Sequence, residues 1–262
     1  LLQAEQQTEA ARVTTYERIL TIEPTHSVVT ERQQAISEIQ AQRHLATQHE
    51  DNDEWDAAIA IYEALLETYQ YTNLSLYTGQ GFMKRKFVIE DGKERDLGVN
   101  FDRHYLNTKG IIWKTVCQET LMIKPGIFLV SCFKHLKAEH VNRRFLIEDE
   151  DGVRIDHFID EICLVIDTPK GLVMIVGCSH PGILSMIESV SERFSRPLYA
   201  LIGGIHLYDA DEGRRRMVLD ALIEKKIPLL GVSHCTGDDA INYLEEHYPN
   251  YFLNSAGTVT TI

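Results

Sequence analysis

Glycine, lysine, phenylalanine and cysteine are all missing from the first 78 residues of this 262-residue chain; they begin at Gly79, Lys84, Phe82 and Cys117. Long apolar runs are missing as well. No stretch approaches the about 20 residues that cross a bilayer, and the opening residues carry no basic-then-apolar leader, so neither a span nor a secretory signal is expected. A first residue that is Leu rather than Met reads as a fragment or a processed chain. A basic excess is missing too: 26 Lys+Arg stand against 39 Asp+Glu, a net charge of −13. Nucleic acid and anionic membrane surfaces need a basic face and are not expected as partners. The five cysteines are odd in number and show no disulfide-like spacing, which predicts a reducing, cytoplasmic compartment.

The missing residue types divide the chain in two. Residues 1–70 hold 4 arginines and 13 acids, a net of −9, whereas the remainder holds 22 bases and 26 acids, a net of −4. The break predicts a helical segment over 1–70 and a differently built α+β domain over 71–262. In the first region Val13, Tyr16, Ile19 and Leu20 recur at helical spacing until Pro24 closes the helix. Val28, Ile36, Ile39 and Leu45 predict a second helix, Asp51-Asn52-Asp53 a turn, and Trp55, Ala58, Ile59, Tyr62, Leu65 and Leu66 a third. Tyr16-Glu17-Arg18-Ile19-Leu20 is similar to Tyr62-Glu63-Ala64-Leu65-Leu66, and the pair resembles tetratricopeptide repeats. The tyrosines lie 46 residues apart, against a standard repeat of about 34. A generic amphipathic hairpin accounts for the stripes equally well. Either form implies a docking or oligomerisation role, because short helical arrays need neighbours to bury their faces.

In the second region the pattern is irregular up to Asp151, with apolar runs at 86–89 and 126–130 and a hairpin turn at Glu90-Asp91-Gly92-Lys93. Beyond it, runs at 162–167 and 172–176 predict a β-hairpin. A helix over 182–194, a strand over 198–202, a helix over 212–225, a strand over 228–232, a helix over 238–247 and a closing strand over 257–262 follow. Three of these strands run into small residues and then a histidine: Gly177-Cys178-Ser179-His180, Gly203-Gly204-Ile205-His206 and Ser233-His234-Cys235. The histidines are spaced 26 and 28 residues apart, the length of one strand–helix unit. Parallel strands joined by helices would deliver all three imidazoles to one sheet edge, where open α/β sheets bind ligands. One such histidine is ordinarily a cap or a surface group, but three at one edge point to a metal or catalytic cluster. His135 and His140 read as surface residues; His104 and His157 stay open. Cys178 and Cys235 read as small buried residues rather than thiolate ligands or nucleophiles. Asp160 and Glu161, just before a strand, are placed to orient a ligating histidine.

Phe158-Ile159-Asp160-Glu161, Gly177-Cys178-Ser179-His180-Pro181-Gly182-Ile183, Ile202-Gly203-Gly204-Ile205-His206-Leu207 and His234-Cys235-Thr236-Gly237 occur in an order that resembles the metallo-β-lactamase superfamily. The similarity is to its dihydropterin-ribofuranosylaminobenzene-phosphate synthase-like branch and covers residues 72–262. It implies an αββα sandwich with a divalent metal, zinc or else iron or manganese, at the sheet edge. Matching motifs make His180 and His234 metal ligands, with His206 next and Asp160 and Glu161 as lesser site residues. The superfamily's His-x-His-x-Asp-His string does not occur in this chain. The fold implied is therefore an incomplete metallo-β-lactamase-like αββα sandwich preceded by an all-helical, tetratricopeptide-like segment. Its implied activity is hydrolysis of a small, phosphorylated or ester-like substrate by metal-activated water. The alternative is a catalytically inactive or partial protein whose helices bind a protein partner, or a half-site completed by another chain. Half a sandwich would also expose an apolar sheet face, to be covered by a homo-oligomer contact or by the N-terminal helices.

Overall fold

A computed structural model describes residues 74–261 apart from 91, 137–138, 140–142 and 256–257, together with scattered positions between 34 and 64. The chain divides into two units, Leu1–Tyr71 and Thr72–Ile262. In the first, the described positions before Asn52 and from Asp56 onward are helical, and Asn52 lies in a turn with its N–H donating to the His49 carbonyl at 3.2 Å. Leu45 and Ile59, which the helical stripes place on apolar faces, are exposed. Tyr16, Pro24 and Tyr62, on which the repeat resemblance rests, lie outside the described residues.

The second unit runs β1 (Ser75–Thr78), β2 (Arg85–Glu90), β3 (Lys93–Asp96), α1 (Arg103–Thr108), β4 (Ile112–Thr115), β5 (Thr120–Lys124), β6 (Ile127–Val130), β7 (Phe145–Asp149) and β8 (Gly152–Ile155). It continues with β9 (Cys163–Thr168), β10 (Gly171–Ile175), α2 (Ile183–Phe194), β11 (Leu198–Gly203), α3 (Glu212–Glu224), β12 (Leu229–Val232), a 3-10 turn (His234–Thr236), α4 (Asp238–His247) and β13 (Tyr251–Leu253). A seven-stranded sheet has the order β13-β12-β11-β10-β9-β6-β5, a four-stranded sheet the order β3-β2-β7-β8, and β1 pairs with β4. The predicted hairpin is present, Val173 of β10 lying antiparallel opposite Ile166 of β9. From β10 to β13 every pairing is parallel. The three histidine-bearing loops therefore leave the sheet on the same edge.

Burial explains why these strands read so clearly. Leu172, Val173 and Met174 are completely buried, so β10 is covered on both faces and its sequence is a continuous apolar run. On α2, Ile183, Met186, Ile187 and Val190 recur at spacings of three and four and form one core with Leu201, Leu219, Leu222, Leu230 and Leu244. The start of α2 has no local side-chain cap. Glu139, brought from the far side of β7, supplies one: its carboxylate accepts from the N–H groups of Leu184 and Ser185 at 3.0 and 2.6 Å and from Ser185 Oγ at 2.7 Å. A carboxylate there satisfies orphan donors and meets the positive end of the helix dipole.

The closing strand is not where the sequence predicts it. Residues 258–261 form no strand, and the sheet ends instead on β13 at Tyr251–Leu253. Val259 is 93% exposed, so the β propensity of that Thr/Val segment has no burial to support it. Phe252, by contrast, lays its ring over Gly231 of β12, in the space that a Cβ at that glycine would need. No helix of the described residues is long and apolar enough to cross a membrane.

Candidate metal centre

The loops after β10, β11 and β12 converge. His180 and His206 lie with ring centroids 4.5 Å apart, and Cys178 Sγ lies 3.0 Å from His234 Nε2. Among the described residues two sets of three donors have all their ligating atoms within 4.8 Å of one another: Cys178, His180 and His206, and Cys178, His234 and Cys235. The three histidines thus do not close into one donor set; Cys178 stands between His180 and His206 on one side and His234 on the other. Cys178 and Cys235 are half-buried, not buried as their small size predicts, and their thiols face the imidazoles. His104, His135 and His157 are exposed, His157 meeting His135 edge-on at 5.9 Å, and His140 lies outside the described residues.

The loops hold their shape at a conformational cost. Among the described residues seven other than glycine have positive φ, and four of these, Phe158 at 52°, Ser179 at 60°, His206 at 46° and His234 at 25°, belong to this site. Each such residue costs about 1–3 kcal/mol and persists only where its surroundings impose it. The surroundings here are hydrogen bonds. Ser179 Oγ donates to the Gly204 carbonyl at 2.8 Å, Gly204 N to the Gly177 carbonyl at 2.8 Å, and Leu207 N to the Cys235 carbonyl at 3.1 Å, tying the three loops together.

Glu161 orients His180. Its carboxylate accepts from His180 Nδ1 at 2.7 Å and from Ser179 N at 2.8 Å, which leaves His180 Nε2 turned to the site. Burial pushes the Glu161 carboxyl up, but the hydrogen bond and charge of His180 and the backbone N–H groups outweigh it and leave the carboxyl below its ordinary value. Burial likewise pushes His180 down, and Glu161 outweighs it, so the imidazole is raised. Phe158 stacks on the same ring at 4.5 Å and 12°. Asp160 does something different. It pairs with Lys86, whose ammonium also lies 3.5 Å from the buried Asp156, and its charge helps to raise the His180 imidazole. The thiols differ as well: the neighbouring Cys235 lifts Cys178 to about 11, and the Cys178 hydrogen bond lowers Cys235.

A cavity of about 380 Å³ opens beside His180 and His206, walled by Lys86, Phe87, Phe145, Phe158 and Tyr208. Phe87 and Phe145 come from β2 and β7, a part of the chain whose sequence shows no motif. Only their alternation along strands could have marked them as inward-facing.

The donors fit a divalent cation. Both ring nitrogens of His206 are buried without a hydrogen-bond partner among the described residues, and Asp209 Oδ1, 4.0 Å from Nε2, is beyond hydrogen-bond range. An imidazole with no partner in a low-dielectric site is costly unless an ion or water satisfies it. Imidazole and thiolate together are the donors that zinc and its neighbours prefer.

No family model matches the chain. It is 35% identical over 140 residues to the 7,8-dihydropterin-6-methyl-4-(β-D-ribofuranosyl)-aminobenzene-5'-phosphate synthase of Methanocaldococcus jannaschii, a match covering 52% of this chain and 48% of that protein. It is 27% identical over 114 residues to an uncharacterized protein of the same organism, covering 43% and 41%. The chain thus spans about half the length of the curated relatives it matches. Among solved structures it superposes on Tm1679, described as a metal-dependent hydrolase of the β-lactamase superfamily, with a TM-score of 0.64 and 24% identity, covering 74% of this chain and 73% of that one. The likeness establishes the fold: mixed α/β sheets arranged as in a metallo-β-lactamase-type hydrolase.

Proposed function

We propose that the chain is a metal-dependent hydrolase whose metal centre draws on His180 and His206 from one donor set and His234 from the other, acting on a small substrate held in the adjoining cavity. The observation that carries this reading is His206, whose two buried ring nitrogens have no partner within hydrogen-bond geometry among the described residues while Cys178 and His180 offer donors within 4.8 Å. A bound divalent ion, zinc or else iron or manganese, supplies a water activated at neutral pH. Glu161 fixes the ring of His180 through Nδ1, and Ser233 Oγ, 3.2 Å from His234 Nδ1, does the same for His234. The aromatic walls suit a flat substrate and exclude water from its faces. The M. jannaschii relative is named for a product that carries dihydropterin and aminobenzene rings and a 5'-phosphate, a molecule of that shape. A phosphate on the substrate of this chain rests on that name alone. The cavity lining is not basic, since Lys86 and Arg95 share it with Asp156, Asp160 and Glu161. A cytoplasmic setting is part of the proposal and is supported by the unpaired state of all five cysteines.

The test is the metal content of the purified protein and of His234→Ala, by plasma mass spectrometry. Stoichiometric zinc, iron or manganese in the wild type, lost in the variant, is expected. A folded wild-type protein with no metal above background would overturn the reading and leave a scaffold without chemistry, as the missing His-x-His-x-Asp-His string also allows.

A further inference from the structure

Cys178 enters the hydrolase reading only as a donor beside His180 and His206, and Cys235 does not enter it, yet the placement of the two cysteines is specific. Cys178 follows β10 and Cys235 sits in the 3-10 turn after β12, 57 residues along the chain, with Cys235 Sγ 3.8 Å from the Cys178 carbonyl. His234, next to Cys235, directs Nε2 at Cys178 Sγ from 3.0 Å while its Nδ1 faces Ser233 Oγ. With Nδ1–H donating to Ser233 Oγ, the Nε2 lone pair would lie among the sulfurs, the tautomer a metal ligand needs. Two consecutive residues can both face Cys178 because the turn is unusual: His234 has φ 25° and Gly237 φ 83°. Gly204 passes directly beneath. A Cβ there would lie 2.5 Å from Cys235 Sγ, 2.7 Å from His234 Cε1 and 2.9 Å from the Gly177 carbonyl, so this backbone stretch is kept bare where it borders the cluster.

We infer that Cys178, Cys235 and His234 form a thiolate–imidazole cation site that selects a thiophilic divalent ion over oxygen-seeking magnesium, calcium or manganese. Two thiolates and one imidazole make a set typical of zinc, and sulfur donors are poor ligands for hard cations. The Cys178 sulfur is shared with the Cys178–His180–His206 set. The inference rests on the hydrolase reading only in placing an ion at this sheet edge; it changes which atoms hold it. It also gives the chain a ligand set built from its own residues in the absence of the His-x-His-x-Asp-His string.

Cobalt(II) added to the metal-free full-length protein tests the site. Sulfur-to-cobalt charge-transfer absorption in the near ultraviolet is expected for the wild type, weakened in Cys178→Ser and in Cys235→Ser, absent in the double variant, and retained in His180→Ala/His206→Ala. Zinc affinity, by competition with a chromophoric chelator, should fall in the double variant by more than the about 10–100-fold that loss of an outer-sphere partner costs. Cobalt bound with only visible d–d bands in the wild type would overturn the thiolate site and leave the histidine reading standing. Cobalt not bound at all would overturn both. The wild-type spectrum decides the matter even if the serine variants fail to fold.

Discussion

Replacing Glu161 by glutamine keeps the shape of the side chain and removes the charge that holds His180. The carboxylate accepts from both His180 Nδ1 and Ser179 N, so the variant loosens the ligand and its loop together. A loss of roughly 10–100-fold in metal affinity is expected by calorimetry, with the fold intact by circular dichroism. In the metal-free protein the same pair has a pH signature. Glu161 is lowered, so its contribution is present above the ordinary carboxylate value and lost as acid protonates it; His180 is raised, so its contribution is present below the ordinary imidazole value and lost as base deprotonates it. Stability of the metal-free wild type is therefore expected to exceed that of Glu161→Gln most in the window between those values, and urea titrations at several pH values would show it. That His180, His206 and His234 leave the sheet at one edge was legible in the sequence, because each follows a strand and small residues. Lys86, Phe87 and Phe145 were not, because a cavity wall contributed by separate strands leaves no local pattern.

At the scale of elements, α2 depends on a residue that lies well before it. Glu139 is 4% exposed and caps the helix that follows the His180 loop. Glu139→Ala leaves buried N–H groups unpaired and is expected to cost about 1–3 kcal/mol in urea unfolding, with an added loss of metal affinity because the loop before α2 is no longer anchored. The end of the sheet depends on Gly231. A methyl group there meets the Phe252 ring, and Gly231→Ala is expected to destabilise by about 1–3 kcal/mol, with faster amide exchange at Tyr251–Leu253 than elsewhere in the sheet. The elements from β9 to α4 were readable because burial on both faces, or on one helical stripe, imposes a strong period. β1, β4 and β8 are four residues each, largely exposed or half-buried, and carry too few apolar positions to show one. The closing strand was misplaced for a related reason: propensity favours Thr258–Thr261, whereas packing against β12 favours the aromatic Tyr251-Phe252.

At the scale of the whole molecule, composition alone exposed a break near residue 70, and the chain divides between Tyr71 and Thr72. What composition could not supply is how far a metal bound at the proposed site would hold the second unit. An ion present at about 100 times its Kd contributes about 2.7 kcal/mol to the folded state. For a domain of 150–250 residues each kcal/mol moves the melting temperature by about 2–4 °C. Chelation is therefore expected to lower the thermal midpoint by roughly 5–11 °C, reversed by zinc; an unchanged midpoint would show that the fold does not draw on the site. The distance along the chain between Cys178 and Cys235 gives this a further side. An ion seated on both would close a loop enclosing α2, β11, α3 and β12; where it stays on the unfolded chain it acts as a removable cross-link whose withheld entropy grows with the logarithm of the loop, and the mass-action gain above shrinks by its affinity for that state. Chain collapse with the ion already bound would then begin from a ring, and chelators, by reopening it, would slow refolding as well as weaken the native state.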